Sequence, residues 1–256
     1  MARLNRALST GPVWREIRVL DSTESTNAEV AGAARTGAAE GLVVIAERQS
    51  AGRGRLDRGW SSPARAGVLM SALLRPQIEV SAWPLIPLLA GLAVVEAVLS
   101  VGQVEATLKW PNDVLVDDRK LAGILVERVE SSVVVGIGLN VSTKPEELPT
   151  ATATSLAIAG GVTDREIIAK ELLRSLARRY QGWHDTAGSS ASVIPAYRER
   201  CETIGRHVEL QLPGGDIVRG EVTAIDDSGA LTLRDDATGA ERGWLAGDVT
   251  HVRKAD

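Results

Sequence analysis

The sequence predicts an α+β fold: a mixed β-sheet with helices packed on it, followed by a small SH3-like β-barrel at the C-terminus. Strand-like runs at 107–110, 121–129 and 132–141 are joined by connections too short for helical crossovers. That favours a meander within a mixed sheet over regular βαβ winding. Helical spacing at 84–101 and 163–183 supplies the layer that covers the sheet. After Gly205 the texture changes to about five short β-rich runs, the pattern of a small barrel. They are broken by Pro213-Gly214-Gly215, Asp226-Asp227-Ser228-Gly229 and Thr238-Gly239. The expected domains are therefore 1–203 and 204–256.

Taken in order, residues 14–20 alternate as a strand does, and 21–26 (Asp-Ser-Thr-Glu-Ser-Thr) offers helix caps. An Ala-rich helix follows and ends near Gly37. Residues 42–46 form a short apolar run suited to a buried strand, and 68–74 another. Between them, 49–60 dissolves into Gly, Arg and Asp and reads as a long loop. The most apolar stretch, 83–95, contains Pro84 and Pro87 and is ended by Glu96. It falls short of the about 20 residues that a bilayer span needs, so a buried helix of a cytoplasmic protein is expected. Residues 191–201 suggest one more helix.

Composition narrows the function classes. The 256 residues are 44% hydrophobic and 24% charged, as in a soluble globular protein with a real core. A net charge of −4 argues against general affinity for nucleic acid, so any basic patch is local. Cys201 is the only cysteine, which excludes a disulfide framework and a cysteine-based zinc site within the chain. Residues 1–10 lack the apolar core of a signal peptide.

Four constellations carry chemistry. The first is 49–60, Gln-Ser-Ala-Gly-Arg-Gly-Arg-Leu-Asp-Arg-Gly-Trp. Alternating Gly and Arg lets backbone amides approach an anion while guanidinium groups meet it from the side, and Trp60 could cover what is bound. The plain alternative is a solvated basic loop. The second is Lys109-Trp110-Pro111-Asn112-Asp113, followed by Lys120-Leu121-Ala122-Gly123-Ile124-Leu125. Pro111 stops the strand and points Asn112 and Asp113 outward at a turn. Lys120 enters a strand where its ammonium could mark a pocket edge, or merely protect an edge strand from aggregation. The third, Ser25-Thr26-Asn27, doubles as a helix cap. The fourth, 136–140, is Gly-Ile-Gly-Leu-Asn, which could be a strand needing close backbone approach.

In this order and spacing, the motifs over about 22–141 closely resemble the biotin protein ligase family, of the type without an N-terminal DNA-binding domain. The β-rich tail resembles that family's C-terminal barrel. The resemblance implies a biotin/lipoate ligase-like catalytic domain that uses ATP to make biotinyl-5′-AMP. It then transfers biotin to a lysine of a biotin carboxyl carrier protein domain of a biotin-dependent carboxylase. It implies that Ser25, Thr26, Asn27 and Gln49 bind the ureido ring, whose neutral, flat form suits hydroxyl and amide partners. Trp or aliphatic walls should line the rest of the biotin pocket. Arg53, Gly54 and Arg55 would close over biotin and the adenylate. Lys120 would reach the biotin carboxylate and the α-phosphate, so Lys120 and Arg55 are the catalytic candidates. Arg55, Arg58, Trp60, Asn112, Asp113, Gly123 and Asn140 would serve ATP and the adenylate, Asn140 at the adenine. Asp113 would face Mg²⁺ carried with ATP.

The chain departs from the family at Asp57, where a glycine is usual; Asp tolerates left-handed backbone but adds negative charge beside an anion site. Members that repress transcription carry a helix-turn-helix domain before Ser-Thr-Asn. The 24 residues preceding Ser25 are too few for one, so no DNA partner is expected. No membrane partner is expected either, and the protein is expected to be a monomer or weak homodimer. Three rival readings stand beside this one: a lipoate or octanoate ligase or transferase of similar fold, a nucleic-acid module using Arg53, Arg55 and Arg58, and a non-catalytic biotin sensor.

Overall fold

The computed structural model describes residues 13–56 and 58–251. The readings made above for residues 1–10 and for Asp57 lie outside the described residues.

Seven strands form the main sheet: β1 (Glu16–Leu20), β2 (Leu42–Ala46), β3 (Gly67–Leu74), β4 (Thr107–Lys109), β5 (Asp113–Val116), β6 (Arg119–Val129) and β7 (Ser132–Asn140). Their order is β1-β2-β3-β7-β6-β5-β4. Only β1 and β2 run parallel, joined across α1 (Thr26–Arg35); every other neighbour is antiparallel. The expected meander is therefore present. One strand, β5, has no counterpart among the expected strands. Only its four residues separate the Pro111-Asn112 turn from the reverse at Asp117-Asp118, too few to show alternation.

The two faces of the sheet are covered differently. On one, Val30, Ala31 and Ala34 of α1 pack on Leu42, Val44, Leu73, Val129 and Val134. The other carries a 3₁₀ turn (Val80–Leu85), α2 (Ile86–Ser100) and α3 (Arg165–Asp185). Pro84 lies in the 3₁₀ turn and Pro87 in the first turn of α2, where a missing N–H costs least. The apolar segment Val80–Ser100 is long enough by composition to cross a membrane, yet two thirds of its apolar 18-residue window is buried inside the protein. A helix held between a sheet and another helix is apolar on all sides for that reason. α3 is amphipathic; Asp164 caps it by accepting from the Glu166 and Ile167 amides, and Trp14 Nε1 donates to its Leu173 carbonyl at 2.8 Å.

A short helix, α4 (Ile194–Arg200), leads into five strands: β8 (His207–Gln211), β9 (Ile217–Ile225), β10 (Leu231–Asp235), β11 (Glu241–Trp244) and β12 (Asp248–His251). Their order is β11-β10-β9-β8-β12, antiparallel throughout. The edge strands β11 and β12 are joined by residues 245–247 alone. The four peptide units from Trp244 to Asp248 reach at most about 14 Å. A flat five-stranded sheet would hold its edges about 19 Å apart. The sheet must therefore curl toward closure, as a small barrel does. It shares one hydrophobic core with the main sheet through Val208, Val222, Leu231 and Val249. Trp110 Nε1 donates to the Gly229 carbonyl across the junction at 3.0 Å.

Candidate active site

A cavity of about 110 Å³ opens on the α1 face of the sheet, beyond the carboxyl ends of β1 and β2. The backbone continues the β1–β2 pairing past both strands, since Thr23 N donates to Arg48 O and Ser50 N to Thr23 O. This sets Gln49 beside the N-terminus of α1. Ser25 caps that helix by accepting from the Ala28 amide and also lines the cavity wall.

Neutral polar groups fill this end of the cavity. Gln49 Oε1 accepts from Thr26 N at 2.7 Å and from Thr26 Oγ1 at 3.0 Å. Ser71, fully buried at the centre of β3, places its hydroxyl 2.7 Å from Thr26 Oγ1 and donates to Asn27 Oδ1 at 2.5 Å. Asn27 Nδ2 donates to Leu125 O at 3.3 Å and to Glu127 Oε2 at 2.6 Å. Two rows of cross-strand partners, which share a face, make room for these groups. Leu125, Gly136 and Ser71 form one row, and Asp113, Gly123 and Gly138 the other. A Cβ on Gly136 would lie 2.0 Å from Asn27 Oδ1, and one on Gly138 would lie 2.4 Å from Trp60 Cε2. The glycines of the 136–140 motif thus serve close approach, by side chains rather than by backbone.

The loop after β2 is not structureless. Trp60 N donates to Gly52 O at 2.8 Å and Gly54 N to Arg58 O at 2.6 Å, with a bridge between Arg53 and Gly59. This small hairpin folds over the cavity and lays the Trp60 ring against Gly138 and Gly123. Two of its arginines meet carboxylates: Arg53 lies 3.4 Å from Glu127, and Arg58 2.7 Å from Asp248 of β12. Arg55 instead donates to Asn112 Oδ1 at 3.3 Å. Burial pushes its guanidinium pKa below the usual value, partly opposed by Asp248 and Asp113. A desolvated cation facing a cavity is suited to an anionic ligand.

Lys120 enters this site through a β-bulge. Val114 pairs with Ala122 but Leu115 pairs with Lys120, so Leu121 is the extra residue. Strict alternation would place Lys120 and Gly123 on opposite faces; the bulge brings Lys120 over Gly123. Its Nζ lies 2.7 Å from Asp113 Oδ1, in an ion pair not aligned as a hydrogen bond, and 5.6 Å from the Trp60 ring centroid. Its backbone is clasped by Thr152 O and Thr154 N. β6 lies between β7 and β5, so the edge-protection reading of Lys120 fails.

Three expectations change. Asn112 and Asp113 do not point outward: Asn112 Nδ2 donates to Ile124 O at 2.9 Å, and Asp113 turns toward Lys120. Asp113 itself does not line the cavity. Nor does Asn140, which is buried with its amide donated to Thr154 O at 3.0 Å. It anchors the segment that clasps Lys120, because the end of β7 turns it toward residues 152–154. Ser25, Thr26, Asn27, Gln49, Arg53, Gly54, Arg55, Arg58, Trp60, Asn112, Lys120 and Gly123 do come together around the cavity. Met70, Ile124, Leu125 and Ile137 provide the aliphatic wall. Two further residues belong to this cluster: Ser71, whose signal was a polar residue inside the otherwise apolar β3, and Glu127, which has no such signal because charged residues also stand beside it in β6.

A mixed sheet thus carries one cavity with a neutral hydrogen-bonding cluster at one end and Lys120 and Arg55 under an arginine loop at the other, an arrangement suited to a ligand that is polar and neutral at one end and anionic at the other. Residues 18–143 match the biotin/lipoate A/B protein ligase family, and 203–252 match the biotin protein ligase C-terminal domain. The chain is 42% identical to the biotin–[acetyl-CoA-carboxylase] ligase of Mycobacterium tuberculosis, over 97% of this chain and 94% of that one. It is 36% identical to the enzyme of the same name from Paracoccus denitrificans, over 86% and 94%. The structure of Aquifex aeolicus biotin protein ligase in complex with biotin and ATP superposes with a TM-score of 0.78 at 25% identity, covering 94% and 100%. The chain belongs to the biotin protein ligase family.

Proposed function

We propose that Thr26, Asn27 and Gln49 hold the ureido ring of biotin while Lys120 and Arg55 hold the anions that react. The chain is an ATP-dependent, AMP-forming ligase that activates biotin to biotinyl-5′-AMP and transfers it to a lysine as an amide. The observation that carries the residue assignment is the division of one cavity into a neutral hydrogen-bonding end and a cationic end.

The chemistry follows from that division. A biotin carboxylate oxygen attacks the α-phosphorus of ATP, a P–O bond forms, and pyrophosphate leaves. Two anions approach only with cations between them, the service given by Lys120 and Arg55. Trp60 and the hairpin cover the mixed anhydride and keep water from it. The acceptor lysine, as its free amine, then attacks the acyl carbon; the C–O bond to phosphate breaks and AMP leaves with that electron pair.

Mg²⁺ fits as a companion of the triphosphate. No group of three or more acidic, His or Cys side chains able to hold a metal occurs among the described residues. One carboxylate, Asp113, lies beside Lys120 with an oxygen that accepts no aligned hydrogen bond. A single carboxylate plus substrate phosphates is a common way to hold Mg²⁺. The ion would neutralise phosphate charge.

The acceptor is a biotin carboxyl carrier protein domain of a biotin-dependent carboxylase, in keeping with the relatives' names. The enzyme works in the cytoplasm as a monomer or weak homodimer, without DNA or a membrane as partner. Its catalytic domain spans 1–203 and its C-terminal domain 204–256. Incubation with ATP, Mg²⁺ and an isolated carrier domain tests the reading by mass spectrometry: biotin should add one biotinyl group and lipoate none. Lipoyl transfer at an equal rate would assign the cavity to the rival ligase.

A further inference from the structure

Glu127 of β6 has no place in the steps above, yet its carboxylate divides two oxygens between two parts of the site. Oε2 accepts from Asn27 Nδ2 at 2.6 Å, and Oε1 lies 3.4 Å from Arg53 of the hairpin. We propose that Glu127 is a positioning residue that fixes the orientation of Asn27 and couples recognition of the ureido ring to closure of the loop. The inference rests on the assignment of biotin to this cavity.

The donors and acceptors of Asn27 fix what it can offer a ligand. The Asn27 amide has two N–H donors and one oxygen with two lone pairs. Both donors are used, one on Leu125 O and one on Glu127 Oε2. Its oxygen receives only the Ser71 hydroxyl, so one lone pair remains. Asn27 therefore meets a ligand as an acceptor, the partner a ureido N–H requires. A flipped Asn27 would set its oxygen against the Glu127 carboxylate, a contact between two acceptors and a negative charge. Glu127 thus selects the acceptor orientation. The space is equally constrained, because Oδ1 sits where a Cβ on Gly136 would be.

The second oxygen joins this choice to the loop. Arg53 is half exposed and reaches Glu127 with the hairpin lying over the cavity. Closing the loop brings a cation to the carboxylate that orients Asn27, so each event favours the other. Among the described ion pairs, no other carboxylate meets Arg53.

The test is a pair of variants and their double. Glu127→Gln keeps the shape and can still accept from Asn27, but presents an amide to Arg53. It should raise the KM for biotin about tenfold, the worth of a charge-assisted hydrogen bond, and release biotinyl-5′-AMP faster by a similar factor. KM for ATP should stay within about twofold, a split that general loosening of the fold would not give. Arg53→Gln should speed adenylate release with a smaller effect on biotin, and the double variant should release it no faster than Glu127→Gln. A biotin KM unchanged in folded Glu127→Gln, an equal rise in both KM values, or full additivity would overturn the proposal. Should Glu127→Gln fail to fold, unaltered adenylate release in Arg53→Gln overturns it alone. A wild-type protein that does not bind biotin would instead refute the ligand assignment, before any variant is made.

Discussion

The Arg58 guanidinium lies 2.7 Å from the Asp248 carboxylate, which ties the hairpin over the cavity to the first residue of β12 in the C-terminal sheet. The pair is partly exposed, so its worth is about 0–1 kcal/mol. Asp248→Asn should release biotinyl-5′-AMP a few-fold faster, roughly twofold to fivefold by that energy, with Tm lowered by no more than about 4 °C. The difference should fade in high salt, as screening predicts. Identical release rates at low salt would show that the C-terminal sheet does not steady the loop.

Arg55 makes a different prediction. It meets Asn112 rather than a carboxylate, which leaves its charge for the adenylate phosphate. Arg55→Gly should weaken retention of biotinyl-5′-AMP more than binding of biotin. Escaped adenylate should then label exposed lysines of bystander proteins. Equal off-rates for mutant and wild type, with no bystander labelling, would make Arg55 a solvated charge.

The two glycines of β7 separate the ends of the cavity. Gly136→Ala must displace Asn27, and Gly138→Ala must displace Trp60. The first should raise KM for biotin, the second KM for ATP and the rate of adenylate loss, each by roughly fivefold to a hundredfold, the equivalent of about 1–3 kcal/mol of overpacking. Titration calorimetry with biotin alone separates them. Equal biotin affinity in both variants contradicts the assignment of the two ends.

His251 supplies a pH prediction for stability. Burial, with Lys109 and Arg206 adding to it, pushes its pKa from the ordinary 6.5 to about 4. The unfolded chain therefore binds this proton more readily than the folded one. The stability tied to a neutral His251 is complete above pH 6.5 and is lost as pH falls toward 4. Tm should fall across that window, and His251→Gln should show a shallower fall. Parallel Tm profiles for the two proteins would contradict it.

The division into a mixed sheet and a small barrel was legible because hydrophobic periodicity and Gly/Pro punctuation are local signals. β5 was not, since four residues between two turns show no period. The reach of Lys120 was hidden for a sharper reason: simple alternation puts it on the wrong face, and only the extra residue Leu121 corrects this. The loop looked structureless because its hairpin is too short and Gly/Arg-rich to show a period, and the carboxylates its arginines meet, Glu127 and Asp248, are distant in sequence. Ser71 stands out as a polar residue within the apolar β3, but Glu127 sits beside Arg128 in a strand with other charges, and the partners of both on α1 come only from the fold. Asn140 was placed at the adenine by motif alone, whereas it is buried and donates to Thr154 O.

The central claim is that this cavity joins biotin to the α-phosphate of ATP, with Lys120 between the two anions. ATP–pyrophosphate exchange tests it most directly, run with and without biotin on the wild type and on Lys120→Ala. Exchange should require biotin, and the substitution should lower it by roughly a hundredfold or more, as loss of one preorganised cation does, while the fold stays intact by circular dichroism. Exchange that proceeds without biotin, or that a folded Lys120→Ala supports at the wild-type rate, would contradict the account.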